Sequence, residues 1–310
     1  MMDTVILLTL IGSALRATTP LLLAALGGLF SERSGVVNIA LEGIILFGGL
    51  AAAISVQQLE VRLLAANPEA NLAYLPWLGL VFAAIIGGFV GWIHAVISIR
   101  YKADQIISAT AINLMAIGMP ALILTGLYQN TTTSQPIQNR LPLWGPAGFQ
   151  LSPLVYLAFI LVPLVYFIVF KTPFGLRLRA VGEHPEAADS VGINVRRMRY
   201  YGVIISGVLA GLAGAYLSIG NLNQYVANMS GGRGFIALAA LIFGKWHPVG
   251  VLGATLLFGA FQAAATLLGG SNLLPPTIVE SIPFILTMLV LAGFIGRAIP
   301  PKAVGKPFDK

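Results

Sequence analysis

The chain has 310 residues, 57% of them hydrophobic and only 9% charged, with a mean hydropathy of +0.87. Soluble domains carry about 25% charged residues, so this composition excludes a soluble fold and implies a helical protein that crosses a membrane many times. The net charge of +7 does not indicate nucleic-acid binding, because the basic residues sit in short gaps between apolar stretches, as the positive-inside rule requires. The absence of cysteine excludes a disulfide framework and a thiolate metal site.

A bilayer core needs about 20 apolar residues per helix. About nine stretches approach that length: 4–30, 36–56, 72–99, 105–127, 151–170, 200–220, 226–244, 249–268 and 277–296. The chain therefore reads as all-α and polytopic, one transmembrane domain over 1–310. The first stretch opens on MMDTVILLTL, which lacks the basic start of a cleavable signal. Midway it carries Arg16 and Thr18-Thr19-Pro20, where proline removes a helix hydrogen bond, so a break is expected. The second holds Asn38 and Glu42, one helical turn apart and so on one face. An acid at membrane depth is costly and faces the bundle interior or water. It is read either as a pathway position or as a structural carboxylate tied to backbone or to Arg33. The fourth begins with the weakly apolar run Ile106–Asn113, a second expected break.

Between 170 and 200 lies a polar, basic island, with Lys171, Arg177, Arg179, Arg196, Arg197 and Arg199. Pro185 suits the first position of a short helix, and Glu183 and Glu186 suit its N-terminal end. Gly192 suits a left-handed stop, and Asn194 a cap for the next helix. The expected product is one rigid knob whose small apolar face is Ala187, Ala188 and Val191. Beyond it, Asn221, Asn223, Gln224, Tyr225 and Asn228 cluster beside Arg233. Amides of this kind, with Asn113 and Gln262 inside spans, suit a neutral hydroxylated or nucleobase ligand or plain interhelical bonding. The seventh stretch is short and follows Gly231-Gly232-Arg233-Gly234, a third interruption; such interruptions in transporters mark substrate sites. Arg33-Ser34-Gly35-Val36-Val37 and Arg233-Gly234-Phe235-Ile236 hint at an inverted repeat. His94, His184 and His247 are isolated, so no metal site is expected. No phosphate-binding loop is present, so ATP would be handled by another subunit.

Three stretches together resemble a known family. Glu186-Ala187-Ala188 followed by Gly192 resembles the coupling motif of ABC-importer permeases. Ser31-Glu32-Arg33-Ser34-Gly35-Val36-Val37-Asn38-Ile39-Ala40-Leu41-Glu42-Gly43 is similar to a signature of permeases for nucleosides and related simple sugars. Gly232–Ala239, with Phe243–Gly250, resembles that family's second landmark. The resemblance implies a vitamin B12-importer-like fold and a coupling loop, 171–199, gripped by an ABC ATPase that binds ATP and Mg. It implies a second, paralogous permease chain or a homodimer copy, and a substrate-binding lipoprotein or periplasmic protein. It places the chain in the bacterial inner membrane as the smaller permease of a nucleoside-type pair, itself non-catalytic and without cofactor. Coupling would fall to Glu183, Pro185, Glu186, Ala187, Ala188 and Gly192. The candidate pathway positions are Asn38, Glu42, Asn113 and Arg233, at an interface lined partly by stretches two, four and seven. Nucleosides, simple sugars and riboflavin all suit the family. A secondary transporter or channel would need ion-coupling carboxylates at the midplane; only Glu42 and Glu280 are candidates, and both lie towards span ends. A membrane enzyme would need clustered catalytic side chains, which the sequence lacks.

Lys and Arg favour one set of gaps, which places 171–199 and the tail 297–310 in the cytoplasm and the N-terminus outside. A cysteine at Gln138 is therefore expected to react with an impermeant thiol reagent from outside, and one at Ala187 to stay unlabelled. Reversed labelling of the two would overturn this orientation.

Overall fold

A computed structural model of the chain describes residues 2–146, 149–269, 285 and 298–309. Ten α-helices form among these residues: α1 Met2–Arg33, α2 Leu41–Ala66, α3 Leu75–Ala95, α4 Gln105–Tyr128, α5 Pro153–Lys171, α6 Pro173–Glu183, α7 Pro185–Ser190, α8 Val195–Ala215, α9 Arg233–Phe243 and α10 Pro248–Gly269. Helices α3 and α8 each continue into a π-helical turn, Val96–Arg100 and Tyr216–Asn221. Seven of the helices are long and apolar enough to cross a bilayer, and α9 is a shorter apolar helix. The described residues are thus all-helical, joined by irregular segments. The ninth stretch, 277–296, with Glu280, lies outside the described residues.

Helix α8 is the hub, packed against α1, α2 and α3. Its glycines let backbones touch. A side chain at Gly207 or Gly211 would run into the carbonyls of Gly87 and Ala83 on α3, and one at Gly214 into that of Ile45 on α2. Lipid tails are as apolar as the helices, so such close packing, rather than water exclusion, holds the helices together.

Two expected breaks are absent. Helix α1 runs through Pro20 without a break, and just before it Thr18 and Thr19 turn their hydroxyls back onto the carbonyls of Ala14 and Leu15, each at 2.8 Å. Helix α4 is likewise continuous, started by Asp104, whose carboxylate accepts from the amides of Ile106 and Ile107. The third interruption is real. Gly231 (φ +52°) and Gly232 (φ +80°) hold the chain in a left-handed conformation before α9, where glycine carries no steric penalty.

Another irregular segment lies between α1 and α2. The chain closes α1 with a turn at Gly35 (φ +93°), then runs without regular structure from Val36 to Asn38 before α2 begins at Leu41. Asn38 therefore precedes the helix and does not share a helical face with Glu42. Nor are the two stretches that hinted at a repeat alike in conformation, since Arg33 closes a helix and Arg233 opens one.

The backbone clasp around α8 gives a graded expectation. Gly211→Val is expected to cost about 1–3 kcal/mol by overpacking, seen as a lower thermal unfolding temperature of the purified protein. Gly118→Ala, with open space around it, is expected to leave that temperature unchanged or slightly raised. Equal tolerance at both positions would contradict the close packing of α3 on α8.

Candidate functional site

The two irregular segments meet. Glu42, in the first turn of α2, points its carboxylate at the N-terminus of α9. Its Oε1 accepts from Ser230 Oγ at 2.6 Å and from the Gly232 amide at 2.7 Å, and its Oε2 accepts from the Gly234 amide at 2.6 Å. The first amides of a helix have no partner within it, and the helix dipole favours an anion there. Gly234 has to be glycine for the approach, because a Cβ would lie 2.5 Å from Glu42 Cα.

The far end of α9 is held by the same sequence motif. Past Phe243, Arg33 donates from Nε and Nη2 to the Trp246 carbonyl, at 3.1 and 2.8 Å. The Trp246 indole donates to Glu32 Oε2 at 2.5 Å. An anion at the start of the half-helix and a cation just beyond its end both complement its dipole. Thus Glu32, Arg33 and Glu42 hold both ends of an 11-residue helix.

The irregular segment before α2 is satisfied by side chains from α3 and α4. The Val37 amide donates to Gln105 Oε1 at 2.8 Å. The Val37 carbonyl lies 2.9 Å from His94 Nε2, and His94 Nδ1 lies 3.0 Å from Ser108 Oγ. A carbonyl only accepts, so Nε2 carries the proton. Asn113 donates to the Ile39 carbonyl at 3.1 Å and accepts from the Gly43 amide at 2.8 Å. Non-helical backbone inside a membrane protein survives only when paired in this manner.

The four candidate pathway residues thus gather on one pair of segments. Asn38 is fully buried and donates to Ser206 Oγ at 2.9 Å, while its Oδ1 has no partner among the described residues. Glu42 and Asn113 are half-buried and bonded to backbone. Arg233 is half-buried, with Nη1 donating to the carbonyls of Met229 and Ser230, and with Nε unpartnered. The amide-rich gap lies elsewhere, knitted to the loop after α4. Ser134 donates to the Tyr225 carbonyl, Ile137 to that of Asn223, and Ala227 to that of Thr132. Buried Glu60 caps this loop at the amides of Gln138 and Asn139. Burial there pushes the Tyr225 phenol well above its ordinary range.

In the basic island α6 is followed by α7, and α7 is the short helix expected from Pro185 to the stop at Gly192. Gly175, Leu178, Val181 and Gly182 form the buried face of α6. Pro185 opens α7, Gly192 (φ +84°) stops it with its amide on Asp189 O, and Asn194 accepts from the Arg197 amide to start α8. Ala188 is buried, 4% exposed, so the outward face is Ala187 and Val191 without it. Glu186 lies exposed in the first turn of α7. Glu183 ends α6 and lies 3.9 Å from Arg33 Nη1, also accepting from the Lys302 amide. The tail folds back over this region. Ala303 donates to the Gly182 carbonyl and Gly305 to that of Gly35, while Arg199 donates to the Lys306 carbonyl. Lys102 pairs with Asp309. Phe308, with Asp189, Asn194, Val195 and Arg196, lines a cavity of about 320 Å³.

The clamp at Trp246 escaped sequence reading because Glu32 and Arg33 lie more than two hundred residues before it. The one available signal was that both landmark stretches carry charge or an aromatic beside glycine. Among the described residues no group of His, Asp or Glu is placed to hold a metal.

Residues 10–291 match the family described as "Branched-chain amino acid transport system / permease component", and the chain belongs to it. The guanosine ABC transporter permease protein NupQ of Bacillus subtilis is 42% identical, the alignment covering all of this chain and 99% of that protein. The nucleoside ABC transporter permease protein NupC of Lactococcus lactis is 37% identical over 97% of this chain and 96% of its own. A putative glucose ABC transporter permease protein, TsgC13 of Haloferax volcanii, is 34% identical over 93% and 92%. In the first two organisms a second, more distant permease also matches, NupP at 28% and NupB at 24% identity. No solved structure matches the chain.

Replacing Glu42 with Ala leaves three donors at α9 without their acceptor. Each buried unsatisfied group costs about 1–3 kcal/mol, so the variant is expected to unfold at a clearly lower temperature in detergent and to lose transport with it. A variant as stable as the parent would show that Glu42 does not hold the half-helix.

Proposed function

We propose that this chain is one of two permease subunits of an ATP-binding cassette importer for nucleosides, the counterpart of NupQ. The observation that carries this reading is end-to-end similarity to NupQ and NupC, joined to a helical pair, α6–α7, that presents Ala187 and Val191 outward. ATP and its Mg are bound by a separate ATPase, which grips α7. A small rigid helix pair backed by buried Leu178, Val181 and Ala188 passes on rigid-body motion. The presence of paired permeases among the relatives favours a heterodimer, fed by a substrate-binding lipoprotein. The chain sits in the bacterial inner membrane with α6, α7 and the tail in the cytoplasm, and it is itself non-catalytic.

The pathway in this reading runs along the uncovered face made by α4, the start of α2, and α9. Helix α4 exposes Leu114, Ile117 and Gly118, and α9 exposes Phe235 and Ile242. The half-buried Glu42, Asn113 and Arg233 belong to this face, with Asn38 behind them, and the second permease completes it. A glucose importer is the second reading, favoured by the likeness to TsgC13. A secondary transporter fits less well, because the Glu42 carboxylate is already occupied by three donors and so is a poor proton or ion carrier.

The test is ATP-driven uptake of radiolabelled guanosine by proteoliposomes holding this chain with its ATPase and second permease. Glucose in place of guanosine as the imported solute would support the second reading instead. Gly192→Val forces a β-branched residue into the left-handed region, at about 1–2 kcal/mol. It is expected to lower uptake or ATPase co-purification by about 5- to 30-fold. Unchanged uptake with unchanged ATPase binding would remove α7 as the coupling element.

A further inference from the structure

The turn that ends α9 is strained. Lys245 and Trp246 are consecutive non-glycine residues with φ of +52° each. That conformation costs about 1–2 kcal/mol per residue and persists only where surroundings over-determine it. Here they do so through Arg33, whose fork holds the Trp246 carbonyl, and through Glu32, which holds the Trp246 indole. The third nitrogen of the same guanidinium, Nη1, faces Glu183 at the end of α6. A side chain at Gly182 would collide with the Arg33 carbonyl, so α6 and the end of α1 are in backbone contact. Phe170 covers the remaining side, 5.7 Å from the Arg33 guanidinium and 4.9 Å from that of Arg179. His247, the next residue, packs on Phe170 and Tyr166 at 5.1 and 5.5 Å. Burial and the Arg33 charge hold the His247 imidazole below its ordinary range.

We propose that Arg33 is a positioning residue that links the ATPase-facing helices to the half-helix α9. When α6 shifts, Glu183 and the Gly182 backbone displace Arg33. The Trp246 carbonyl loses its fork, the Lys245–Trp246 turn relaxes from its left-handed conformation, and α9 moves as a short rigid rod. Its other end carries that movement to Glu42 and the start of α2. The turn thus has two arrangements, one strained and held, one relaxed and released. This inference rests on the coupling reading above and adds to it the connection from α6 to the pathway face.

The experiment measures ATP hydrolysed per guanosine imported, in proteoliposomes holding the complete importer. Arg33→Lys keeps the charge opposite Glu183 and loses the two-pronged hold on Trp246 O. Glu183→Gln, at a half-exposed site, loses the pull on Arg33. Residues along a coupling connection change coupling by about 2- to 30-fold, and both variants are expected to raise the ratio within that range while the ATPase co-purifies in parental amount. The double variant is expected to do no worse than the more severe single one, since both cut one connection. An unchanged ratio in Glu183→Gln overturns the proposal, as do effects that multiply in the double variant. A residue that merely supports the fold would lower the amount of assembled complex and leave the ratio alone. If the ATPase fails to co-purify with the parent chain, the coupling reading itself falls.

Discussion

Everything in this fold depends on pairing backbone groups that no helix can satisfy. A polypeptide inside a bilayer cannot leave amides and carbonyls bare, since each costs several kcal/mol. Among the described residues, Val36–Ala40 and the segment before α9 are two such departures from helix. Both departures are made tolerable by side chains that arrive from elsewhere. Gln105, His94 and Asn113 serve the first, and Glu42 serves the second. The polar residues inside this membrane protein are therefore structural before they are anything else.

The close packing of α8 and the charge pattern around α9 are parts of one design. Glycines on α2, α3 and α8 bring backbones into contact and make a stiff central cluster. The half-helix α9 packs chiefly on α1, burying Ala237, Ala240 and Leu241, and its two ends are held in addition by an acid and by an arginine. The arginine end adjoins α6 and the folded-back tail, the region read as facing the ATPase. The acid end adjoins α2 and α4, the region read as facing the solute. Stiffness and motion are thus assigned to different elements.

Much of the fold was legible in the sequence, for definite reasons. Long apolar runs report spans directly, because the bilayer sets their length. The stop at Gly192, the start at Pro185 and the cap at Asn194 followed from local chemistry alone, and the structure shows each of them. Local chemistry also misled. Pro20 reads as a break, yet α1 runs through it. Asn38 and Glu42 read as one helical face, because nothing in their spacing says that α2 starts only at Leu41. The site was less legible than the fold. Its candidate residues were named from polarity at membrane depth, but the partners of Asn38, Glu42 and Asn113 lie 70 to 192 positions away in sequence. Glu32 and Trp246 show the limit, since neither carries a local signal of the other.

The claim on which this account stands is that the first amides of α9 are held by the Glu42 carboxylate, not by water. Hydrogen exchange at Gly232 and Gly234 measures this directly. Amides bonded to this half-buried carboxylate are expected to exchange about a hundredfold or more slower than in an open loop, and to lose that protection in Glu42→Ala while Gly207 and Gly211 keep theirs. Exchange of Gly232 and Gly234 at open-loop rates in the parent protein would contradict the account.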